Sequence, residues 1–238
     1  WGGLALGFWF CRDALAVPAW RDWPLVFDRQ RLRVMLAVNT DILLRSLMLQ
    51  VIFISFLFVG ADFGDVTLAA NQVLLQFLNI TAHALDGFAF AAEALVGQAY
   101  GARAVALLRR GALMTSVWGL VVCIALAVGF AGFGGAIIDL MAKVPEVQVE
   151  ARTYLVYMAA APILGLAAYM LDGVFIGATR SRDMRNMMAV SLAFYAVAVA
   201  ALVPVMGNHG LWASLLLSFV ARGVTLGLRY PALERGVG

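Results

Sequence analysis

Six apolar segments, residues 34–60, 68–100, 107–133, 153–177, 187–206 and 211–228, dominate this chain. Each is long enough to cross the hydrocarbon core of a bilayer as an α-helix, which takes about 17–25 residues. Composition agrees: 63% of the 238 residues are hydrophobic and only 13% are charged, against about 25% charged in ordinary soluble domains. With a mean hydropathy of +0.91, so much apolar surface cannot be hidden in one water-soluble core. The expected fold class is all-α, a polytopic membrane protein with a six-transmembrane-helix bundle over residues 34–228.

The remaining segments divide the chain further. Residues 1–10 are apolar but too short to cross, and Arg12-Asp13 stands where a signal peptide would need small residues for cleavage. They read as the end of a preceding transmembrane helix, so the chain is expected to belong to a larger, transporter-sized protein. Residues 11–33 carry Pro18, Pro24, five arginines and three aspartates, the makeup of a surface linker that Trp20 and Trp23 anchor at headgroup level. Residues 229–238 read as a polar tail.

Arginine placement sets the orientation. Thirteen arginines fall before the first span, between the second and third, between the fourth and fifth, or in the tail, whereas the opposite loops, 61–67, 134–152 and 207–210, hold only Lys143 and Arg152. Cytoplasmic loops carry the excess of Lys and Arg. Both ends of this chain are therefore expected on the cytoplasmic side.

Helix punctuation supports the boundaries. Pro145 followed by Glu146 suits a first-turn proline and an acid beside the positive helix end. Pro162 and Pro204 fall inside apolar runs, where prolines give kinks or hinges. Gly119, Gly129, Gly132 and Gly165 are expected to permit close helix packing.

The polar residues inside these spans carry the functional information. Gln72, Gln76, Asn79, His83, Asp86 and Glu93 follow one another at helical spacing, within an arc of roughly 100° on one face. An ionisable side chain at the bilayer centre costs roughly 2.5–3.5 kcal/mol on the insertion scale, so such residues are retained where they line a cavity or bind something. A polar cavity is the expectation. Dehydration of Asp86 and Glu93 there favours the neutral acid and hence proton exchange, with His83 either a relay or an interior hydrogen-bonding group. Asp41 and Arg45 lie four apart and are expected to pair with each other, either to fix packing or as a charge pair that a proton or substrate breaks. Asp172 contacts the lumen or pairs with Arg180 or Arg182. Ser214, Ser218, Arg222 and Thr225 form a second polar face, read as interhelical hydrogen bonding.

Other chemistries find no footing. The sequence has no GxSxG, HExxH or Walker motif, and His83 lacks a second histidine at ligand spacing, so no catalytic, cofactor or metal-binding residues are assigned. Cys11 and Cys123 have no CxxC spacing and read as inert packing residues. A net charge of +3 on dispersed basic residues offers no nucleic-acid surface.

The stretch Ala84-Leu-Asp-Gly-Phe-Ala-Phe-Ala-Ala-Glu-Ala-Leu-Val-Gly-Gln-Ala-Tyr-Gly-Ala102 is similar to the long helix with a GQ-x-x-GA turn of the multidrug and toxic compound extrusion (MATE) family, in its DinF-like branch. Asn39-Thr-Asp-Ile-Leu-Leu-Arg45, Val144-Pro-Glu-Val147 and Leu171-Asp-Gly-Val-Phe-Ile-Gly-Ala-Thr179 extend the resemblance over nearly the whole chain. It implies the C-terminal lobe of a twelve-helix fold whose N-terminal lobe lies outside this sequence, joined to it by residues 11–33. It further implies a secondary antiporter in the bacterial inner membrane that exports amphiphilic or cationic organic compounds by alternating access. Other branches place a cation-site glutamate midway along the corresponding first span, where this sequence has Met48. Protons are therefore expected over sodium as the coupling ion. The alternatives are a lipid-linked precursor flippase of the same superfamily, with several cavity cations, or a non-transporting membrane scaffold with polar residues scattered for packing. The residues carried forward as candidate coupling or cavity groups are Asp41, Arg45, Gln76, Asn79, His83, Asp86, Glu93 and Asp172.

Overall fold

The computed structural model describes residues 2–12 and 27–236. Among them are seven helices and no strand: α1 (Gly2–Phe10), α2 (Arg29–Ala61), α3 (Asp65–Gly101), α4 (Val105–Met141), α5 (Pro145–Gly177), α6 (Ser181–Met206) and α7 (Asn208–Arg235). Six of these, α2 to α7, are long and apolar enough to cross a membrane. The chain forms two compact units, Trp1–Thr40 and Asp41–Gly238, and the helix crossings and polar clusters that shape the protein belong to the second. The anchoring expected of Trp20 and Trp23 lies outside the described residues.

The helices outrun the apolar segments. Between α4 and α5 only residues 142–144 are non-helical: α4 continues past the apolar segment that ends at residue 133, and α5 starts ahead of the one that begins at residue 153. Hydropathy marks the part of a helix that lies in hydrocarbon, while the helix itself continues as far as its backbone bonds can be kept. Arg152 fastens this end, donating to both oxygens of Asp139 at 2.7 and 2.6 Å. Pro145 occupies the first turn of α5 behind the cap Val144, with Glu146 beside it, as the sequence suggested. α2 already begins at Arg29, inside the stretch read as linker, and α7 runs on to Arg235, through most of the stretch read as tail.

Connectors at the opposite end repeat one device. After α3 the chain turns through Ala102-Arg103-Ala104 and after α5 through Ala178-Thr179-Arg180; Arg103 (φ 53°) and Thr179 (φ 55°) both adopt the left-handed conformation. The following amides close the helix ends on carbonyls five residues back, Ala104 on Ala99 and Arg180 on Phe175, each at 2.9 Å. Between α6 and α7 the turn is Gly207 alone, at φ 57°, and a Cβ on Gly210 would collide with the Leu202 carbonyl.

α3 and α5 form the closest contact of the bundle. A Cβ on Gly173 would lie 2.3 Å from the Ala89 carbonyl oxygen, and one on Gly177 2.4 Å from that of Glu93. This G-x-x-x-G pair lets two backbones touch where lipid supplies no hydrophobic drive. Gly129 and Gly132, read above as packing residues, face open space instead, whereas Gly119 does pack, against Leu166 and Met170 of α5, and Gly165 meets Phe219 of α7 as well as Tyr169 of its own helix. Towards the other end of the helices Phe77 meets Phe130 edge-on at 4.9 Å and Phe56 meets Trp212 at 4.6 Å. Beside them Asn71 and Asn208 exchange hydrogen bonds of 2.8 and 3.0 Å and Trp212 donates to Asn71 at 2.9 Å. Cys123 is buried as expected, and Cys11 is exposed.

Candidate functional site

Gly173 and Gly177 draw α3 against α5, and beside that contact the two helices share a space with α2. The result is a cavity of about 340 Å³ lined by Arg45, Leu49 and Phe53 of α2, by Asn79, Asp86, Phe90 and Glu93 among others of α3, and by Tyr169, Asp172 and Ile176 of α5. Five of the expected residues, Arg45, Asn79, Asp86, Glu93 and Asp172, therefore meet in one place.

Asp172 is the electrostatic centre. Arg45 Nη2 donates to its Oδ2 at 2.5 Å, and Arg222 Nη2 of α7 lies 3.7 Å from the same oxygen. Arg222 is buried, its guanidinium 5.6 and 5.8 Å from the ring centres of Tyr169 and Phe219; such stacking contributes about 2 kcal/mol when the cation is desolvated. One carboxylate thus faces two guanidinium groups. Asp172 Oδ1, Arg45 Nε and Arg222 Nε are buried without a hydrogen-bond partner among the described residues. The pairing with Arg180 or Arg182 does not occur, because α5 ends at Gly177 and both arginines lie past the turn, where Arg180 sits 3.9 Å from Asp183.

The expected Asp41–Arg45 pair is also absent. Asp41 accepts from Arg185 at 2.5 Å and from Ser181 at 2.9 Å, both on α6, outside the cavity. Four residues along a helix place two side chains on one face, but each found an oppositely charged group on a different neighbouring helix. Asp41 is a fastening between α2 and α6.

The polar stripe of α3 divides as well. Gln72 and Gln76 line a separate groove with Lys143, and Asn79 donates to Gln76 at 3.2 Å. His83 is exposed, with Nδ1 2.6 Å from the Asn79 carbonyl oxygen, so that nitrogen carries the proton, and it does not line the cavity. Only the half of the stripe that α2 and α5 cover becomes a cavity wall. Asp86 and Glu93 are partly buried there and have no hydrogen bond or ion pair among the described residues.

Arg222 is the residue the sequence reading passed over. Its face of α7 was assigned to interhelical bonding, yet the Ser214, Ser218 and Thr225 hydroxyls donate to carbonyls of their own helix. The available signal was the cost of an arginine inside a span, which demands a carboxylate on another helix.

The family model MatE matches residues 42–202. DNA damage-inducible protein F of Escherichia coli (strain K12) is 41% identical over 204 residues, covering 83% of this chain and 43% of that protein. Protein DETOXIFICATION 51 of Arabidopsis thaliana is 34% identical over 105 residues, 44% of this chain and 19% of its own length. The chain spans less than half the length of these relatives. Among solved structures, the Vibrio cholerae MATE transporter VcmN in the bent form superposes with a TM-score of 0.86 at 18% identity, over 98% of this chain and 54% of that one.

Proposed function

This chain belongs to the MatE family, a family of membrane transporters, and from that premise we propose that it is the C-terminal lobe of a proton-coupled antiporter exporting cationic or amphiphilic organic compounds. The observation that carries the reading is the cavity in which Asp86 and Glu93 have no hydrogen bond or ion pair among the described residues while Asp172 is compensated by Arg45 and Arg222. These two carboxylates offer sites for a proton or for a cationic group, and the aromatic walls Phe53, Phe90 and Tyr169 suit an apolar body. In alternating access, dehydration of the cavity in one state favours protonated carboxyls and wetting in the other favours proton release. Proton affinity then follows conformation. The partners are small organic compounds, membrane lipid and the N-terminal lobe, and the location is the bacterial inner membrane with both ends of this chain cytoplasmic.

A flippase of lipid-linked precursors would place free cations in the cavity. Here Arg45, the cation that lines the cavity among the described residues, is bonded to Asp172, and Arg222 lies 3.7 Å from the same carboxylate. The test is drug efflux from vesicles holding the complete protein, driven separately by a pH gradient and by a sodium gradient. Efflux on the pH gradient alone is expected, and a response to sodium alone would overturn the coupling assignment.

A further inference from the structure

Near the ends that the connector 102–104 joins, α3 and α4 lie against each other: a Cβ on Gly111 would stand 3.1 Å from that of Leu95. Beside this contact runs a groove of about 530 Å³, whose walls include Leu95 and Gln98 from α3 and Leu107, Arg110 and Met114 from α4. Its apolar side chains Leu95, Leu107 and Met114 are exposed, and Trp118 and Val121, also exposed, continue the face of Met114 deeper along α4 at helical spacing. Arg110 stands at the hydrocarbon boundary, because α4 holds no other charged residue between it and Asp139. Its neighbour Arg109 is committed elsewhere, donating to both oxygens of Glu234 on α7 at 2.7 and 2.8 Å. One step along a helix turns a side chain by about 100°, so Arg110 meets the groove instead. There it has no hydrogen bond or ion pair among the described residues, and no carboxylate lines the groove.

We infer that this groove is a binding site for one phospholipid with a negatively charged headgroup: Arg110 takes the phosphate, the Gln98 amide donates to an oxygen of the headgroup or ester, and an acyl chain runs past Leu95 and Met114 towards Trp118. The inference goes beyond the transport reading and needs neither its coupling ion nor its substrate, only that α3 and α4 span a membrane. A guanidinium forms paired, charge-assisted hydrogen bonds with phosphate oxygens, and basic pockets between transmembrane helices take anionic headgroups. An apolar occupant would leave Arg110 without a counter-charge, and free phosphate would leave Leu95 and Met114 uncovered. A phospholipid answers both. Arg103, next in the chain to Ala102 on the groove wall, adds a second positive charge to the same end.

The test is native mass spectrometry of the complete protein in neutral detergent, titrated with phosphatidylglycerol, with phosphatidylcholine of the same acyl chains, and with inorganic phosphate. Each variant is first matched to the unaltered protein in melting temperature without added lipid. Arg110→Gln is expected to weaken phosphatidylglycerol binding at one site by about fivefold or more. Met114→Trp, which keeps the charge but fills the groove, is expected to weaken it as well. Arg182→Gln, which removes an exposed arginine at the start of α6 that lines no part of the groove, should leave that site unchanged. Phosphatidylcholine is expected to bind there less tightly, and inorganic phosphate not to displace the lipid. Equal losses in Arg110→Gln and Arg182→Gln would mean diffuse surface charge, and displacement by inorganic phosphate would mean an anion site without a lipid. Full binding by both Arg110→Gln and Met114→Trp would mean that the other lobe or water fills the groove. Each of these three results overturns the inference.

Discussion

At the scale of single residues, charges inside the membrane choose partners across helices. Asp41 and Arg45 share a face of α2 but bind Arg185 and Asp172. Double-mutant cycles are therefore expected to give coupling of about 0.5–3 kcal/mol for Asp41 with Arg185 and for Arg45 with Asp172, and close to none for Asp41 with Arg45. The Asp172 cluster allows a sharper prediction. Asp172→Asn leaves the buried guanidinium of Arg222 and the part-buried one of Arg45 without this counter-charge, a loss of about 3–5 kcal/mol, whereas Arg222→Met leaves Asp172 still bonded to Arg45 and fills the space with an apolar chain. Thermal unfolding of the purified protein should rank Asp172→Asn far below Arg222→Met, and the reverse order would mean that Arg222, not Asp172, anchors the cluster. The sequence announced that each of these charges needed a partner, because the bilayer penalises an isolated one. It did not announce which, since that depends on the rotation of each helix about its axis.

Among the elements, α3 and α5 set the geometry of the site. Gly173→Ala and Gly177→Ala drive a methyl into the backbone of α3 and are expected to cost about 1–3 kcal/mol each and to disturb transport. Gly129→Ala and Gly132→Ala meet open space and should be tolerated, with helix propensity slightly in their favour. Purified yield and melting temperature of the four variants separate the two pairs; equal behaviour would remove the close crossing. The positions of all six spans were legible in the apolar runs, and the start of α5 in Pro145-Glu146. The helix ends beyond the hydrocarbon were not, because hydropathy falls before the backbone stops being helical. The stripe on α3 was legible as polar and only Asn79, Asp86 and Glu93 of it became cavity wall, since a stripe shows which face is polar and not which helices lie over it.

For the whole molecule, arginine asymmetry carries the proposed orientation of the bundle. Connectors 102–104 and 178–180 share the end where the close contacts of Gly97 and Gly177 bring α3 and α5 to a stop together. Cysteines introduced there are expected to resist a membrane-impermeant reagent added to intact cells, and those in residues 142–144 to react; the opposite pattern would invert the topology. Within that frame the proposed function makes Asp86 and Glu93, which have no hydrogen bond or ion pair among the described residues, the link between conformation and proton binding. The most direct measurement is the pH profile of gradient-driven efflux by the complete protein carrying both Asp86→Asn and Glu93→Gln. Membrane insertion is expected to persist while efflux falls by about tenfold or more and its dependence on pH flattens. Efflux with the rate and pH profile of the unaltered protein would contradict proton coupling through these carboxylates, and would place the coupling groups outside this cavity.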